Sequence, residues 1–480
     1  MRLIDSPPTS AGVRVPPTIP IEELLAVTRG RLLGPTETTS FSLVAVDSRT
    51  VVPGCLFVAL RGERTDGHGF VADAFRAGAA AALVERPVPA PSGAALVQVT
   101  DPLLALQELA SAVRRRSAVR VVGITGSTGK TIAKEVVADV LSRTHRVLRN
   151  EGNLNSETGL PITLLRLEPD DEIAVLEMSM YTEGEIARLA EIAEPEVGVV
   201  LAVHPTHLER AGSIEAIARA KSELPAALPA DGLAVLNADD PRVAAMRDVT
   251  RAAVRTVATS RGSTAEVTAR DIESRGLAGT EFTLSTPWGE RRVRSANPGR
   301  HLVLHALVAA AVAERFDVPL SEVAAALEAG SHAAHRMAVV VAAGGATLVD
   351  DSYNASPVSV AAALEFLAET PLDTGGRRIA VLGDMLELGP DEEALHRRIG
   401  ALAARTADAL VAVGERGAWI ADAARAAGAT AVHESHEADD ATETLEREVG
   451  PRRGDVVLVK ASRGIGPDGV VDALAERGAP

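Results

Sequence analysis

Two hydrophobic patterns alternate along the chain: short unbroken aliphatic runs, and longer stretches in which apolar residues return every third or fourth position. The first kind reads as strands buried on both faces, the second as helices packed along one side. Strands are expected over 42–49, 54–60, 80–84 and 95–99, with helices over 70–79 and 103–116, so the chain from Phe41 onward begins with a small mixed unit. Ahead of it, prolines and threonines surround one amphipathic stretch, 21–27, and predict a loosely attached lead-in over the first 40 residues. Arg114-Arg-Arg-Ser117 reads as a linker.

The middle of the chain alternates strand and helix, as a parallel sheet covered on both faces requires. Strands are expected at 173–177, 197–203 and 233–237, with a helix over 213–224. Residues 265–294 turn antiparallel around a Thr286-Pro-Trp-Gly289 hairpin, before a helix over 301–314. After Pro319, strands at 346–350, 378–382, 409–413, 429–433 and 455–459 alternate with helices. The expected class is α/β in three domains: a small mixed N-terminal domain (1–116), a central P-loop ATPase-like parallel-sheet domain (117–328) and a Rossmann-like C-terminal domain (329–480). Val381-Leu-Gly-Asp-Met-Leu-Glu-Leu-Gly389 lacks the G-x-G-x-x-G spacing, so no dinucleotide site is read from it.

Charge and composition exclude several functions. A net charge of −16 argues against nucleic-acid and anionic-membrane partners, which need a basic surface. No stretch is long and apolar enough for a membrane span, and no basic-then-apolar leader opens the chain, so a cytoplasmic protein is expected. The single cysteine, Cys55, rules out an intrachain disulfide and reads as a buried thiol in a reducing compartment. Of 49 basic residues only Lys130, Lys134, Lys221 and Lys460 are lysines. Each is a candidate for work a guanidinium cannot do, and for Lys134 survival by chance is an equal reading.

One lysine lies in Val121-Val-Gly-Ile-Thr-Gly-Ser-Thr-Gly-Lys-Thr131, a strand that opens through a glycine loop into a helix running to about Thr144. Glycines at 126 and 129 let backbone N–H groups of Gly126, Ser127, Thr128 and Gly129 face phosphate oxygens, and the helix N-terminus adds partial positive charge. Lys130 can reach the outer phosphates and the Thr131 hydroxyl can hold Mg²⁺. The loop departs from the strict P-loop spacing, since Gly123 stands one place early. Ligands of such sheets gather at the carboxyl ends of the strands, where Glu177 and His207 fall. Alone, His207 reads as a capping histidine; beside a triphosphate it and Glu177 are candidate metal donors. Lys221, on an aliphatic helix face, either snorkels to solvent or reacts as a neutral amine with CO₂ to give an anionic carbamate.

The chain resembles the Mur ligase family, ATP-dependent amide-forming enzymes of peptidoglycan precursor synthesis. The resemblance runs from about Val44 to the C-terminus. It rests on Asp47-Ser-Arg49, Gly62-Glu-Arg-Thr-Asp-Gly-His68, Thr125-Gly-Ser-Thr-Gly-Lys-Thr131, Gly152-Asn-Leu-Asn155, Glu177-Met178, His207-Leu-Glu209, Ala220-Lys-Ser-Glu223, Asn237-Ala-Asp-Asp240, Gly299-Arg-His301, Asp350-Asp-Ser-Tyr-Asn-Ala-Ser-Pro357 and Leu382-Gly-Asp-Met-Leu-Glu-Leu-Gly389. It implies ATP and Mg²⁺ as cofactors, a UDP-linked peptide acid and a dipeptide amine as small-molecule substrates, and a monomer. Thr131 and Glu177 would hold one Mg²⁺, with His207 and carbamylated Lys221 at a second. Asn155 and His301 would belong to the ATP site, joined by Arg336 and Asp351 from a closing C-terminal domain. Ser48 and Arg49 would lie at the uridine-diphosphate end, Tyr353 and Asn354 near the amine, and Lys460 matches a family lysine at a strand end. Leu302, His305, Ser156, Ser179 and Ala461 depart from the family pattern. They raise one alternative, a diverged ligase of a specialised pathway with a different acid and amine; a non-catalytic nucleotide-binding regulator is a remote reading from another class, against which the surviving metal and phosphate residues stand.

Overall fold

The computed structural model describes residues 17–62, 65–206, 208–331, 335–342 and 344–476. They form two compact units, Met1–Val121 with His145–Met178 and Arg188–Glu194, and Val122–Thr144 with Ser179–Ala187 and Pro195–Pro480.

In the first unit the strands Arg31–Leu32, Ala95–Gln98, Ala81–Val84, Leu56–Val58 and Val44–Ala45 form a five-stranded sheet in that order. It is parallel except for the Leu32↔Val97 edge pairing. Phe57, Ala82, Val84 and Leu96 pack with Cys55 in its core, and burial pushes the Cys55 thiol up from its ordinary range. The expected 42–49 strand is broken. Leu43 sits at φ +59°, and Asp47 accepts the Arg49 amide at 2.9 Å to start the Ser48–Thr50 3₁₀ turn. The lead-in, where described, is not loosely attached: Thr18–Pro20 pairs antiparallel with Ser40–Ser42, and Ile19, Ile21 and Leu24 are buried around the Ile21–Thr28 helix. Pro20 ends the strand and precedes the helix without keeping either from the core. Asp101 accepts from the Leu103 and Leu104 amides and Pro102 takes the first turn, which fixes the start of the Pro102–Arg116 helix. Strands Val147–Arg149 and Ile173–Glu177 pair in parallel in the same unit.

In the second unit the strand Arg120–Thr125 contributes Val122–Thr125, which pairs with Val197–Val200; Leu233–Asn237, Ala253–Ala258 and Val267–Ser274 follow, all parallel. Thr280–Thr286 and Gly289–Ser295 then add an antiparallel hairpin, as the turn sequence predicts. The Val303–Arg315 helix is buried on nearly every side, against the Lys130–Leu141 helix and the sheet, which explains its lack of a polar face.

The last sheet of this unit runs Ala338–Val341, Thr347–Asp350, Val456–Lys460, Arg378–Gly383, Ala409–Val413 and Val432–Ser435, parallel except for its antiparallel first pair. Successive strand residues enter opposite cores. Ile379, Val381, Val411, Val457 and Val459 face one core, and Ala380, Leu382, Leu410, Ala412 and Leu458 the other. This double burial is why the strands read as unbroken aliphatic runs. The final outer strand starts three residues and ends two residues later than expected, after a turn through Gly428 at φ +97° that follows the Gly417–Ala426 helix.

Candidate active site

The phosphate loop is fastened by its own sequence. Gly129 adopts φ +79° at the start of the Lys130–Leu141 helix, a conformation open to glycine. A Cβ there would meet His305 Nε2 at 2.4 Å, and one on Gly126 would meet Leu201 Cβ at 2.9 Å. Ser127 donates its amide to the Ala202 carbonyl (2.8 Å), and its hydroxyl donates to the His204 carbonyl (3.0 Å) while accepting the His204 amide (2.9 Å). The Thr128 carbonyl closes on the Gly126 side of the turn. Lys130 Nζ donates to the Gly126 carbonyl at 2.9 Å, which holds its ammonium over the loop.

Two residues beyond this loop converge on it. The Arg336 guanidinium donates to Thr131 Oγ1 at 2.9 Å and lies 4.2 Å from the Tyr353 ring centroid. His305, one of the departures from the family pattern, is buried against Gly129 with Nδ1 lacking a hydrogen-bond partner, and burial holds its pKa down to about 4. His301 is likewise held down to about 4, because desolvation outweighs the pull of the Asp351 carboxylate.

Lys221 is buried on the Ile214–Ala227 helix. Desolvation, reinforced by the Lys130 charge, pulls its pKa well below the lysine range, so it does not snorkel and carries an amine able to be neutral. Lys460 is buried too, and donates to Asp351 Oδ2 at 2.5 Å and to the Asn354 carbonyl at 3.0 Å. Lys134 is buried beside Glu135, and Lys130 is half-buried. Asn354 also accepts the Ala355 amide through its side chain.

In the first unit, Asn155 Nδ2 donates to Glu177 Oε1 at 2.8 Å. Asn150, which carries no motif of its own, accepts the Glu177 amide at 3.0 Å and donates to the Glu177 and Leu154 carbonyls. It fixes the end of the strand that carries Glu177. Ser48 opens the exposed 3₁₀ turn, where Arg49 pairs with Asp47 at 2.5 Å and lowers that carboxyl to about 2. His207 lies outside the described residues, and no group of three or more His, Cys, Asp or Glu able to hold a metal occurs among those that are described.

A second polar cluster was only partly visible in sequence, as the Leu382–Gly389 segment. Asp384 is buried and accepts the Gly417 amide at 2.9 Å; its carboxyl is pushed up by burial. His396 Nδ1 donates to the Glu392 carbonyl (2.6 Å), which leaves Nε2 to accept the Met385 amide (2.9 Å). The Ser462 hydroxyl accepts the Leu386 amide at 3.0 Å. These bonds hold the segment at the carboxyl end of its strand, on the side where Asp351 and Lys460 meet.

Comparison with known proteins assigns this arrangement to a lineage. The family described as Mur ligase family, catalytic domain, matches residues 40–114; Mur ligase middle domain matches 124–313; and Mur ligase, glutamate ligase domain, matches 335–463. The UDP-N-acetylmuramoyl-tripeptide–D-alanyl-D-alanine ligase of Mycobacterium tuberculosis (strain ATCC 25618 / H37Rv) is 42% identical over 478 residues, spanning 90% of this chain and 91% of that protein. The ligase of the same name from Escherichia coli (strain K12) is 37% identical over 470 residues, with coverage of 96% and 99%. Among solved structures, MurF from Acinetobacter baumannii superposes with a TM-score of 0.84 at 32% identity, covering 96% of this chain and 99% of that one. MurF ligase from Thermotoga maritima in complex with ADP gives 0.76 at 28% identity, with 90% and 97% covered. With relatives of this identity spanning nearly its whole length, the chain belongs to the Mur ligase family.

Proposed function

We propose that this chain is an ATP-dependent ligase that joins the carboxylate of a UDP-N-acetylmuramoyl tripeptide to the amine of D-alanyl-D-alanine, in peptidoglycan precursor synthesis. The observation that carries the reading is the fastened loop with Lys130 and Thr131 met by Arg336, in a chain 42% identical to a ligase of that name. The substrate carboxylate attacks the γ-phosphorus of ATP, releasing ADP and leaving an acyl phosphate. The amine then attacks the acyl carbon, and phosphate departs from the tetrahedral intermediate.

Each residue has a part in this scheme. Backbone N–H groups of Gly126, Ser127, Thr128 and Gly129 cradle the phosphates, while Lys130 and Arg336 offset charge on the transferring group. Asn155 orients Glu177, and His301 and Asp351 border the nucleotide. Mg²⁺ suits the donors present, because a threonine hydroxyl and a carboxylate are hard oxygen ligands and the ion ordinarily keeps phosphate oxygens and waters for the rest. Thr131 and Glu177 would hold one ion, His207 and a Lys221 carbamate a second, and the metal would neutralise phosphate charge. The neutral Lys221 amine adds to CO₂ and loses a proton, so a neutral side chain becomes an anionic carbamate. Ser48 and Arg49 take the uridine-diphosphate end, and Tyr353 and Asn354 border the amine.

The proposed domains are 1–116 for the UDP-linked acid, 117–328 for ATP, and 329–480 for closure and the amine, in a monomeric cytoplasmic enzyme. Among the described residues no helix is long and apolar enough to cross a membrane. Phosphate release measured with the UDP-muramoyl tripeptide and D-alanyl-D-alanine is the test. Release that requires both substrates supports the proposal; none with this pair, but release with another acid or amine, sinks the substrate assignment and leaves a ligase of a specialised pathway.

A further inference from the structure

Residues 201–204 continue the chain past the last paired residue of the Val197–Val200 strand. Leu201, Ala202 and Val203 are buried, so their backbone groups need partners within the protein. On the side of the Arg120–Thr125 strand these come from the phosphate loop. The Leu201 amide donates to the Thr125 carbonyl (3.0 Å), the Ser127 amide donates to the Ala202 carbonyl (2.8 Å), and the Ser127 hydroxyl both donates to and accepts from the His204 backbone. On the side of the Leu233–Asn237 strand they come from the Asn237-Ala-Asp-Asp240 turn, a motif with no part in the scheme above. Asn237 Nδ2 donates to the Leu201 carbonyl at 2.8 Å, and Asp240 Oδ2 accepts the Val203 amide at 2.7 Å.

Asp240 divides its carboxylate between two duties. While Oδ2 holds Val203, Oδ1 accepts the Arg242 amide (2.9 Å) and the Val243 amide (3.4 Å), which caps the Pro241–Ala244 turn. Asp239 beside it serves a different strand end, where it accepts from the amides and hydroxyls of Thr259 and Ser260. The two adjacent acids therefore have separate tasks, and only Asp240 reaches the segment to which Ser127 is fastened.

We propose that Asp240, with Asn237, is a positioning residue of the phosphate loop, acting through residues 201–204 and not through contact with the nucleotide. This rests on the nucleotide role given to that loop above. Without Asp240 the buried Val203 amide loses its acceptor, and the segment that holds Ser127 gains freedom. Fixing the loop again when a nucleotide binds then costs conformational entropy, which appears as weaker binding.

The test is titration calorimetry of ADP against the full chain, in the wild type and in Asp240→Ser, Asp240→Asn and Asp239→Ser. Serine is a good helix cap but offers one short oxygen where two are needed, so Asp240→Ser keeps the cap and gives up Val203. Its Kd for ADP should rise roughly three- to thirtyfold, a fraction of the loss of a charge-assisted bond made directly to a ligand. Asp240→Asn, whose longer side chain can offer its one acceptor oxygen to either partner, should rise less, and it carries the test if the serine variant does not fold. Binding stoichiometry should stay that of the wild type in both; a merely structural role would lower the binding fraction and leave Kd unchanged. Asp239→Ser should bind ADP as the wild type does. An unchanged Kd in both Asp240 variants, a fall in stoichiometry alone, or an equal rise in Asp239→Ser overturns the positioning role while nucleotide binding stands. A wild type that binds no ADP overturns the nucleotide reading of the loop and this one with it.

Discussion

Replacing Gly129 by alanine should damage the phosphate loop through two separable effects. The backbone there is left-handed, at φ +79° and ψ −3°, which disfavours an L-residue by about 1–2 kcal/mol. The new Cβ would also stand 2.4 Å from Nε2 and 3.3 Å from Cε1 of His305. That imidazole is buried on the Val303–Arg315 helix, against the phosphate-loop side, so overpacking of about 1–3 kcal/mol adds to the first effect. The sum, about 2–5 kcal/mol, should appear as lost stability in urea unfolding and as weakened ADP binding by titration calorimetry. The two parts separate in a double-mutant cycle with His305→Ser. Gly129→Ala/His305→Ser should recover the steric part as a favourable coupling of about 1–3 kcal/mol and leave the backbone part in place. Gly129→Ala within about 0.5 kcal/mol of wild type would refute the backbone argument. Strict additivity of the two substitutions would refute the clash.

Three further outcomes are expected. Asp351→Asn strands the buried Lys460 ammonium and should destabilise the protein by about 3–5 kcal/mol; a loss below about 1 kcal/mol in urea melts would mean that the pair is not a closed ion pair. His305, held near 4 against an ordinary 6.5, is neutral when folded and takes up a proton on unfolding between those values, so stability falls as pH drops through that window; by linkage the loss from pH 7 to 5 is about 2 kcal/mol, and a His305→Gln variant with an equally steep profile would contradict it. Lys221→Ala should be inactive and partly rescued by short carboxylates, and depletion of CO₂ should lower wild-type activity reversibly; failure on both counts removes the carbamate.

Much of the architecture was legible because burial on both faces writes itself as aliphatic runs: 378–382 and 409–413 were found within a residue of Arg378–Gly383 and Ala409–Val413. The phosphate loop was legible because backbone geometry, glycine and Lys-Thr are local signals. Elements whose stability comes from distant partners were not. The edge strand Ala338–Val341 exposes Val339 and Val341, so its pattern resembled neither a core strand nor a helix. The lead-in owes its order to the Ile19↔Phe41 pairing, and Leu43 bends a strand that propensity alone would continue. At the site, the carbonyl and amide that Asn150 fixes lie 27 residues away, and the Arg336 contact to Thr131 spans 205. Neither leaves a motif. His305 stood out in sequence only as a departure; its packing on Gly129 emerges once the two helices meet.

The distribution of lysines has a practical consequence. Three of the four are buried and the fourth is half-buried over the phosphate loop, while the exposed cations are guanidiniums. Reagents that acylate amines therefore find no exposed lysine, and attachment chemistry that relies on surface amines will be sparse, the amino terminus aside. Inactivation by such a reagent would instead report on a buried or half-buried lysine, and suppression by nucleotide would point to those beside the proposed ATP site, Lys130 first among them.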